Sequence, residues 1–319
     1  MYQDKKVLLI AGGGTLGTYT AKELLARGAY VDVICLEDQV SDHERLRFIK
    51  DYVSLELLEE LFAKTHYDGI VNFIHYKKIE DYKPYHELLI KNTDHLIFLS
   101  SYRVYANEQI PVTEEAPRLS EVEVDPEFLR VETYAFPKIL GEDFLRREHA
   151  GENWTIVRPV ISFSKRRFDL FMYSGDIVDR VRRHGRDGKL LLPAFARDLG
   201  AGIDWAGNSG KLIANLLFKK ETYGEAYTIS SAQELTWGKL AQIYTEVFGI
   251  EIEWVSEAEF IEAYPSAAGD YQWVYKYDRC FDRRIDNTKV LRATGLRPED
   301  FTSVKEGLRI ERALWEAEK

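Results

Sequence analysis

The chain is short of the residues that mark three large classes of protein. Only two of its 319 residues are cysteine, Cys35 and Cys280, and they form no C-x-x-C or metal-ligand spacing. That excludes a disulfide-stapled secreted scaffold, and reduced thiols in the cytoplasm are the expected state. Basic residues are in deficit, with 43 Lys and Arg against 53 Asp and Glu and a net charge of −10. Nucleic-acid surfaces need a cationic footprint that displaces counterions, so nucleic acid is not an expected partner. No apolar run approaches the ~18 residues of a membrane span. The opening MYQDKKVLLIAGGG runs its apolar stretch into glycines where a leader would carry a cleavage site. Internal repeats, low-complexity tracts and long linkers are absent too. What remains is a globular protein of one large or two modest domains.

What is present is a rhythm. Residues 6–11 (KVLLIA) are a short apolar run that ends in glycines, and residues 18–27 then read as a helix. Strand composition returns at 30–36, a short apolar piece follows at 47–49, and a helix is expected at 54–64 with Ser54 as its N-cap. Further strands are expected at 69–74, 95–101 and 154–158, with a helix at 134–148. Strands alternating with helices imply crossovers, and so an α/β fold with a doubly wound parallel sheet. The second half is less regular. Residues 165–198 carry mixed charge and read as exposed helix and loop, 203–219 and 236–248 as helices, 225–230 and 251–255 as strands, and 303–318 as a terminal helix. The expected division is a dinucleotide-binding domain at 1–160 and a smaller α/β substrate region at 161–319. Residues around 198–230 are expected to pack back on the first domain.

Three motifs carry chemistry. Gly12-Gly13-Gly14-Thr15-Leu16-Gly17 fits G-x-G-x-x-G between a strand and a helix. Glycines there let backbone N–H groups approach a pyrophosphate at the positive end of the helix. Glu37, 20 residues after Gly17, is placed to hold a ribose diol. No Arg or Lys other than Arg27 lies between Lys22 and Arg45, so NAD is expected ahead of NADP. Second, Tyr134 and Lys138 form Y-x-x-x-K. Positions i and i+4 share a helix face, and a neighbouring ammonium lowers a phenol's pKa from its reference of about 10. The tyrosine then becomes an acid or base usable near neutral pH. Third, Ser100 and Ser101 close the fifth strand, where a hydroxyl points into the crevice of a parallel sheet.

The order of glycine loop, strand-end serine, Y-x-x-x-K and Arg158-Pro159 resembles the short-chain dehydrogenase/reductase superfamily, and within it the NAD-dependent epimerase/dehydratase family. The resemblance continues through Gly224-Glu225-Ala226-Tyr227-Thr228-Ile229, Asp286-Asn287-Thr288-Lys289 and Gly295-Leu296-Arg297-Pro298, and so covers the whole chain. It implies Ser101 as the catalytic hydroxyl, favoured over Ser100, Tyr134 as general acid/base, and Lys138 as the holder of the nicotinamide ribose. It also implies cofactor contacts at Gly12, Gly14, Thr15, Leu16, Gly17, Glu37, Asp51, Tyr52, Phe73 and Pro159.

The implied activity is NAD(P)-dependent redox chemistry at a carbinol carbon of a sugar or nucleotide-sugar-like substrate. A plain dehydrogenase or reductase of a small carbonyl compound is the first alternative. A non-catalytic cofactor sensor or RNA-binding protein is the alternative of another class. The triplet Ser101-Tyr102-Arg103 lacks the two acids of the 4,6-dehydratases, which disfavours that reaction. Ala11 stands where the family has its first loop glycine, and Ile161 where it has an asparagine facing a nucleotide sugar. Arg166, Arg167, Arg182, Arg183 and Arg197 are candidates for a diphosphate, or else a solvated face. The histidines, at 43, 66, 75, 86, 95, 149 and 184, show no ligand spacing. No metal site is expected, and His75 reads as a hydrogen-bonded structural imidazole. The family's dimerisation through helices flanking the active site is a further expectation.

Overall fold

The computed structural model describes residues 2–165 and 167–318, with the backbone but not the side chains of Val178, Arg182 and His184. The first half runs β1 (Lys6–Ile10), α1 (Thr15–Ala26), β2 (Tyr30–Cys35), β3 (Leu46–Lys50), α2 (Leu55–Phe62), β4 (Gly69–Asn72), α3 (Ile79–Lys91) and β5 (Leu96–Leu99). It continues with α4 (Pro126–Val131), α5 (Ala135–Glu148) and β6 (Trp154–Pro159). The second half begins with β7 (Ile161–Phe163), β8 (Phe168–Leu170), β9 (Tyr173–Gly175), α6 (Ile177–His184), β10 (Lys189–Pro193) and β11 (Ile203–Trp205). Then come α7 (Ala206–Leu216), β12 (Ala226–Ile229), α8 (Trp237–Phe248), β13 (Glu251–Val255), α9 (Glu257–Ala263), α10 (Gln272–Val274), α11 (Thr288–Thr294) and α12 (Val304–Glu316).

Seven parallel strands in the order β12-β6-β5-β4-β1-β2-β3 form the central sheet. The order reverses between β1 and β4, which opens a crevice at their carboxyl ends. Helices cover both faces, so the central strands are buried on both sides and read as continuous apolar runs. Leu24 of α1 and Leu212 and Ile213 of α7 pack with Val33, Val71 and Val157 on one face. Leu58, Tyr82, Leu89 and Leu145 pack with Leu8, Ile34 and Ile70 on the other. A separate aromatic core, with Phe163, Phe168, Trp237, Tyr244 and Phe260, lies under the second half.

Ser54 caps α2 as expected, its Oγ accepting from Leu57 N at 3.2 Å. β12 pairs with β6 at the edge of the central sheet. Helix α7 lies so close to α1 that a Cβ at Gly210 would sit 2.5 Å from the carbonyl carbon of Tyr19.

Elsewhere the expected elements need correction. The piece at 47–49 is the edge strand β3, in register with β2. Helix α3 was not expected, because its buried face is Tyr82, His86 and Leu89 around an internal Pro84 and carries little aliphatic periodicity. Residues 165–198 are not exposed helix and loop. They contain β8, β9, α6 and β10, and Phe168, Leu170 and Phe171 are buried. Their charges disguise this by pairing locally, as Arg167 does by donating to buried Asp169 at 2.6 Å. The expected helix at 203–219 begins with a strand, β11, which pairs with β7.

Candidate active site

Residues 11–14 turn the chain from β1 into α1. Gly17 is required by packing, since a Cβ there would lie 2.1 Å from the carbonyl oxygen of Gly12. Gly14 is different: a Cβ there would meet nothing within 4 Å, and its backbone is extended at φ −81°. Its bare side faces the cleft. Helix α1 has neither a side-chain cap nor an acidic residue in its first turn. Its N-terminal N–H groups and positive dipole end therefore suit an anion. Ala11 adopts φ +54°, a left-handed conformation that glycine takes freely and alanine does not. The Glu37 carboxylate reaches back over the loop, and a Cβ at Gly13 would be 2.5 Å from its Oε2. Asp51 and Tyr52 are exposed at the end of β3, tied to the β2 end by Asp51 N donating to Cys35 O at 3.1 Å.

The loop forms one wall of a cleft of about 600 Å³. Thr15, Leu16, Phe73, Ser101, Tyr134 and Pro159 face it. The two strand-end serines differ. Ser100 Oγ donates to the buried Glu142 carboxylate at 2.6 Å, whereas Ser101 Oγ accepts from Arg103 N at 3.2 Å and caps a 3₁₀ turn at the cleft. Arg158 is likewise structural, clamping Glu142 through two bonds of 2.8 and 2.6 Å. Burial pushes the Glu142 carboxyl up, but Arg158, Ser100 and Arg118 together hold it below the usual carboxylate range.

Tyr134 is the N-cap of α5, with αR backbone angles, and Lys138 lies in the first turn that follows. The Glu132 carboxylate fixes this corner by accepting from the backbone N–H groups of Tyr134 and Ala135 at 3.0 and 2.6 Å. The Tyr134 ring lies between His75, 5.0 Å away centroid to centroid, and the Arg103 guanidinium, 4.7 Å away. His75 Nε2 donates to Thr133 O at 2.9 Å, and it does not face the cleft. Lys138 is buried behind Tyr134, its Nζ donating to Leu99 O at 2.5 Å and Ile74 O at 3.3 Å. Burial pushes its ammonium down to about 7, with Glu142 pulling the other way.

The opposite wall joins Tyr102 and Arg103 to Asp278 and Arg279, two side chains that sequence reasoning missed. Tyr102 donates to Asp278 at 2.5 Å, and Arg279 also bonds Asp278. Arg103 and Arg283 approach the same carboxylate at 3.7 and 4.0 Å. Burial pushes the Asp278 carboxyl up, but the three guanidiniums hold it below the usual range. Asp278 and Arg279 sit on a π-helical turn, Tyr275–Arg279, a local widening common at functional sites. Three guanidiniums surround this one carboxylate, while Arg103 also approaches Glu132 at 3.7 Å and Asp169 lines the same cleft. Arg180 also reaches the cleft.

Of the arginines expected there, Arg167 lines the cleft, Arg183 pairs with Asp179 on its own helix at 2.5 Å, and Arg197 lies over Trp254. Arg166 and the side chains of Arg182 and His184 fall outside the described residues. The one signal in the sequence for Asp278 and Arg279 was a charged dipeptide in an aromatic stretch.

The fold is shared with proteins of known structure. An epimerase from Methanothermobacter thermautotrophicus, Mth375, superposes with a TM-score of 0.72 at 17% identity, over 99% of this chain and 93% of the other. A UDP-N-acetylglucosamine 4-epimerase from Methanobrevibacter ruminantium, in complex with UDP-N-acetylmuramic acid, gives 0.68 at 16% identity over 99% and 100%. A UDP-glucose-4-epimerase from Stenotrophomonas maltophila, with bound NAD and formylated UDP-arabinopyranose, gives 0.67 at 14% identity over 98% of each chain. No curated protein sequence matches the chain. The model of the NAD dependent epimerase/dehydratase family matches residues 8–205, well over half of the 319, and the chain belongs to that family.

Proposed function

We propose that the protein is an NAD-dependent redox enzyme of the epimerase type, acting at a carbinol carbon of a sugar carrying an anionic group, such as a nucleotide sugar. The observation that carries this reading is one cleft shared by an uncapped helix N-terminus at Gly14, the Tyr134 phenol and an arginine-rich wall. The residues fit a dinucleotide. Gly14 leaves open space at the start of α1, Thr15, Leu16 and Gly17 would offer amides to a pyrophosphate, and Glu37, whose carboxylate reaches over Gly13, would take a ribose diol. Asp51 and Tyr52 flank the same strand ends and suit the adenine side, and Phe73 and Pro159 the nicotinamide side. A carboxylate at Glu37 disfavours a 2′-phosphate, which supports NAD over NADP.

NAD, when bound, supplies the hydride acceptor and donor. The protein's own groups do the rest. Tyr134 takes and returns the proton of the substrate hydroxyl, and Ser101 hydrogen-bonds the same oxygen as charge develops on it. Arg103 lies over the phenol ring, its guanidinium 4.7 Å from the centroid, and helps hold it at the cleft. When charged, Lys138 Nζ has three N–H donors and uses two on Leu99 O and Ile74 O, which leaves one for a ribose hydroxyl. Residues 1–160, with α7 and β12 packed back on their sheet, serve mainly the cofactor, and the rest of 161–319, together with Tyr102 and Arg103, mainly the substrate. Cytoplasmic location, a small-molecule substrate and a homodimer belong to the same proposal. No carboxylate pair follows Ser101, so a 4,6-dehydration is not part of it.

The test is to offer NAD with a panel of UDP-, GDP-, CDP- and dTDP-sugars and follow inversion by proton NMR. Tyr134→Phe is expected to lower turnover by about 10³-fold while NAD affinity stays close to that of the unaltered protein. Unchanged turnover in the variant would remove Tyr134 from the chemistry.

A further inference from the structure

A second cluster lies at the other end of the helix that Tyr134 begins. Helix α5 has 14 residues, about 21 Å at 1.5 Å per residue, and its C-cap is His149. The His149 imidazole meets that of His86 from α3, the ring centroids 4.2 Å apart. His86 is fully buried, and its Nε2 has no hydrogen-bond partner among the described residues. Glu152, in the loop before β6, brings one carboxylate oxygen 3.1 Å from His149 Nδ1 and 3.6 Å from His86 Nε2. One ligating atom from each of the three residues lies within 4.8 Å of the others.

We propose that His86, His149 and Glu152 form a binding site for a divalent transition-metal ion of the zinc class. Two imidazoles and one carboxylate are a zinc donor set that leaves a fourth position for water. Ligands on a tetrahedral zinc at about 2.0–2.1 Å stand roughly 3.3 Å apart. The Glu152 distances of 3.1 and 3.6 Å already bracket that spacing. Glu152 is part-exposed, which gives ion and water an entry path.

The nitrogens turned away from the site also have partners of the right kind. Tyr82 Oη lies 3.1 Å from His86 Nδ1, and Glu87 Oε1 3.4 Å from His149 Nε2. Such outer partners fix the tautomer that leaves a lone pair facing the metal. Bonding among the three side chains alone satisfies His149 but leaves the buried His86 Nε2 orphaned, and a metal ion satisfies both. Magnesium and calcium prefer all-oxygen sites and are not expected here. The ion would clamp α3 to the junction of α5 and β6, remote from the cleft and outside the chemistry.

The test uses tag-free protein, stripped with chelator and dialysed against zinc chloride. About one equivalent of zinc should be retained by elemental analysis, and thermal unfolding should shift up by about 4 °C at a hundredfold excess over Kd. Cobalt(II) should give a ligand-field spectrum free of a thiolate charge-transfer band. Glu152→Gln, a change at the part-exposed rim that keeps His86 packed, should weaken zinc binding by at least tenfold and cut the thermal shift at the same zinc concentration to about half or less. Tyr82→Phe should weaken it by about tenfold. Zinc retention well under one equivalent would overturn the proposal. So would a Glu152→Gln variant that binds zinc as tightly as the unaltered chain.

Discussion

The two walls of the cleft are made differently. The wall after β1 is backbone: a turn at residues 11–14 and the uncapped start of α1, with Gly14 open to the cleft and no charged side chain needed. The wall opposite is side chain. Tyr102 and Arg103 follow β5, while Asp278 and Arg279 arrive from a π-helical turn about 175 residues later in the chain, with Arg283 approaching Asp278 at 4.0 Å. Backbone recognition suits a ligand that never changes, and side-chain recognition can be altered one residue at a time. The comparison predicts that single substitutions will have opposite profiles on the two walls.

The largest stability effect is expected on the side-chain wall. Asp278→Asn keeps the shape but leaves Arg279, Arg103 and Arg283 without their shared carboxylate. Breaking one partner of a buried ion pair costs about 3–5 kcal/mol, to be read from denaturant unfolding, and a loss below about 1 kcal/mol would show that the wall does not depend on that charge.

An intermediate effect is expected at Lys138, between the walls. Burial lowers its folded-state pKa from 10.5 to about 7, so between those values the unfolded chain binds the proton that the folded one has released. Stability should therefore rise with pH in that window relative to Lys138→Met, by at most about 1.4 kcal/mol per pH unit. Below pH 7 the difference should be flat. A difference that falls with rising pH would reverse the sign and show the ammonium to be favoured by its carbonyl partners.

The smallest effect is expected on the backbone wall. Ala11 holds φ +54°, and glycine relieves that strain at some cost in unfolded-chain entropy. Ala11→Gly should be more stable by about 0.5 kcal/mol. Destabilisation would mean that the Ala11 methyl packs usefully against the cleft.

The same contrast explains what could be read from the sequence. The glycine loop, Glu37, Ser101 and Tyr134 were legible because each is tied to the end of a regular strand or helix at short range. So were the central strands, whose apolar runs follow from burial on both faces. Helix α3 was hidden because Tyr82 and His86 occupy positions where aliphatic residues would mark a helix face. Residues 165–198 were misread because local pairs such as Arg167 with Asp169 neutralise charge inside a buried segment. Asp278 and Arg279 gained meaning only when folding brought them to Tyr102. The cluster of His86, His149 and Glu152 was invisible for the same reason, its ligands lying on α3 and beyond the end of α5.

The central claim is that the β1–α1 turn holds the pyrophosphate of NAD through bare backbone, and Gly14 tests it most directly. A Cβ at Gly14 meets no protein atom within 4 Å, so Gly14→Val should fold with a melting temperature close to that of the unaltered chain. Calorimetric titration with NAD should then show affinity reduced by at least about 100-fold, since a branched side chain would occupy the space the phosphates need. If Gly14→Val binds NAD as tightly as the unaltered chain, the cofactor does not lie on this turn.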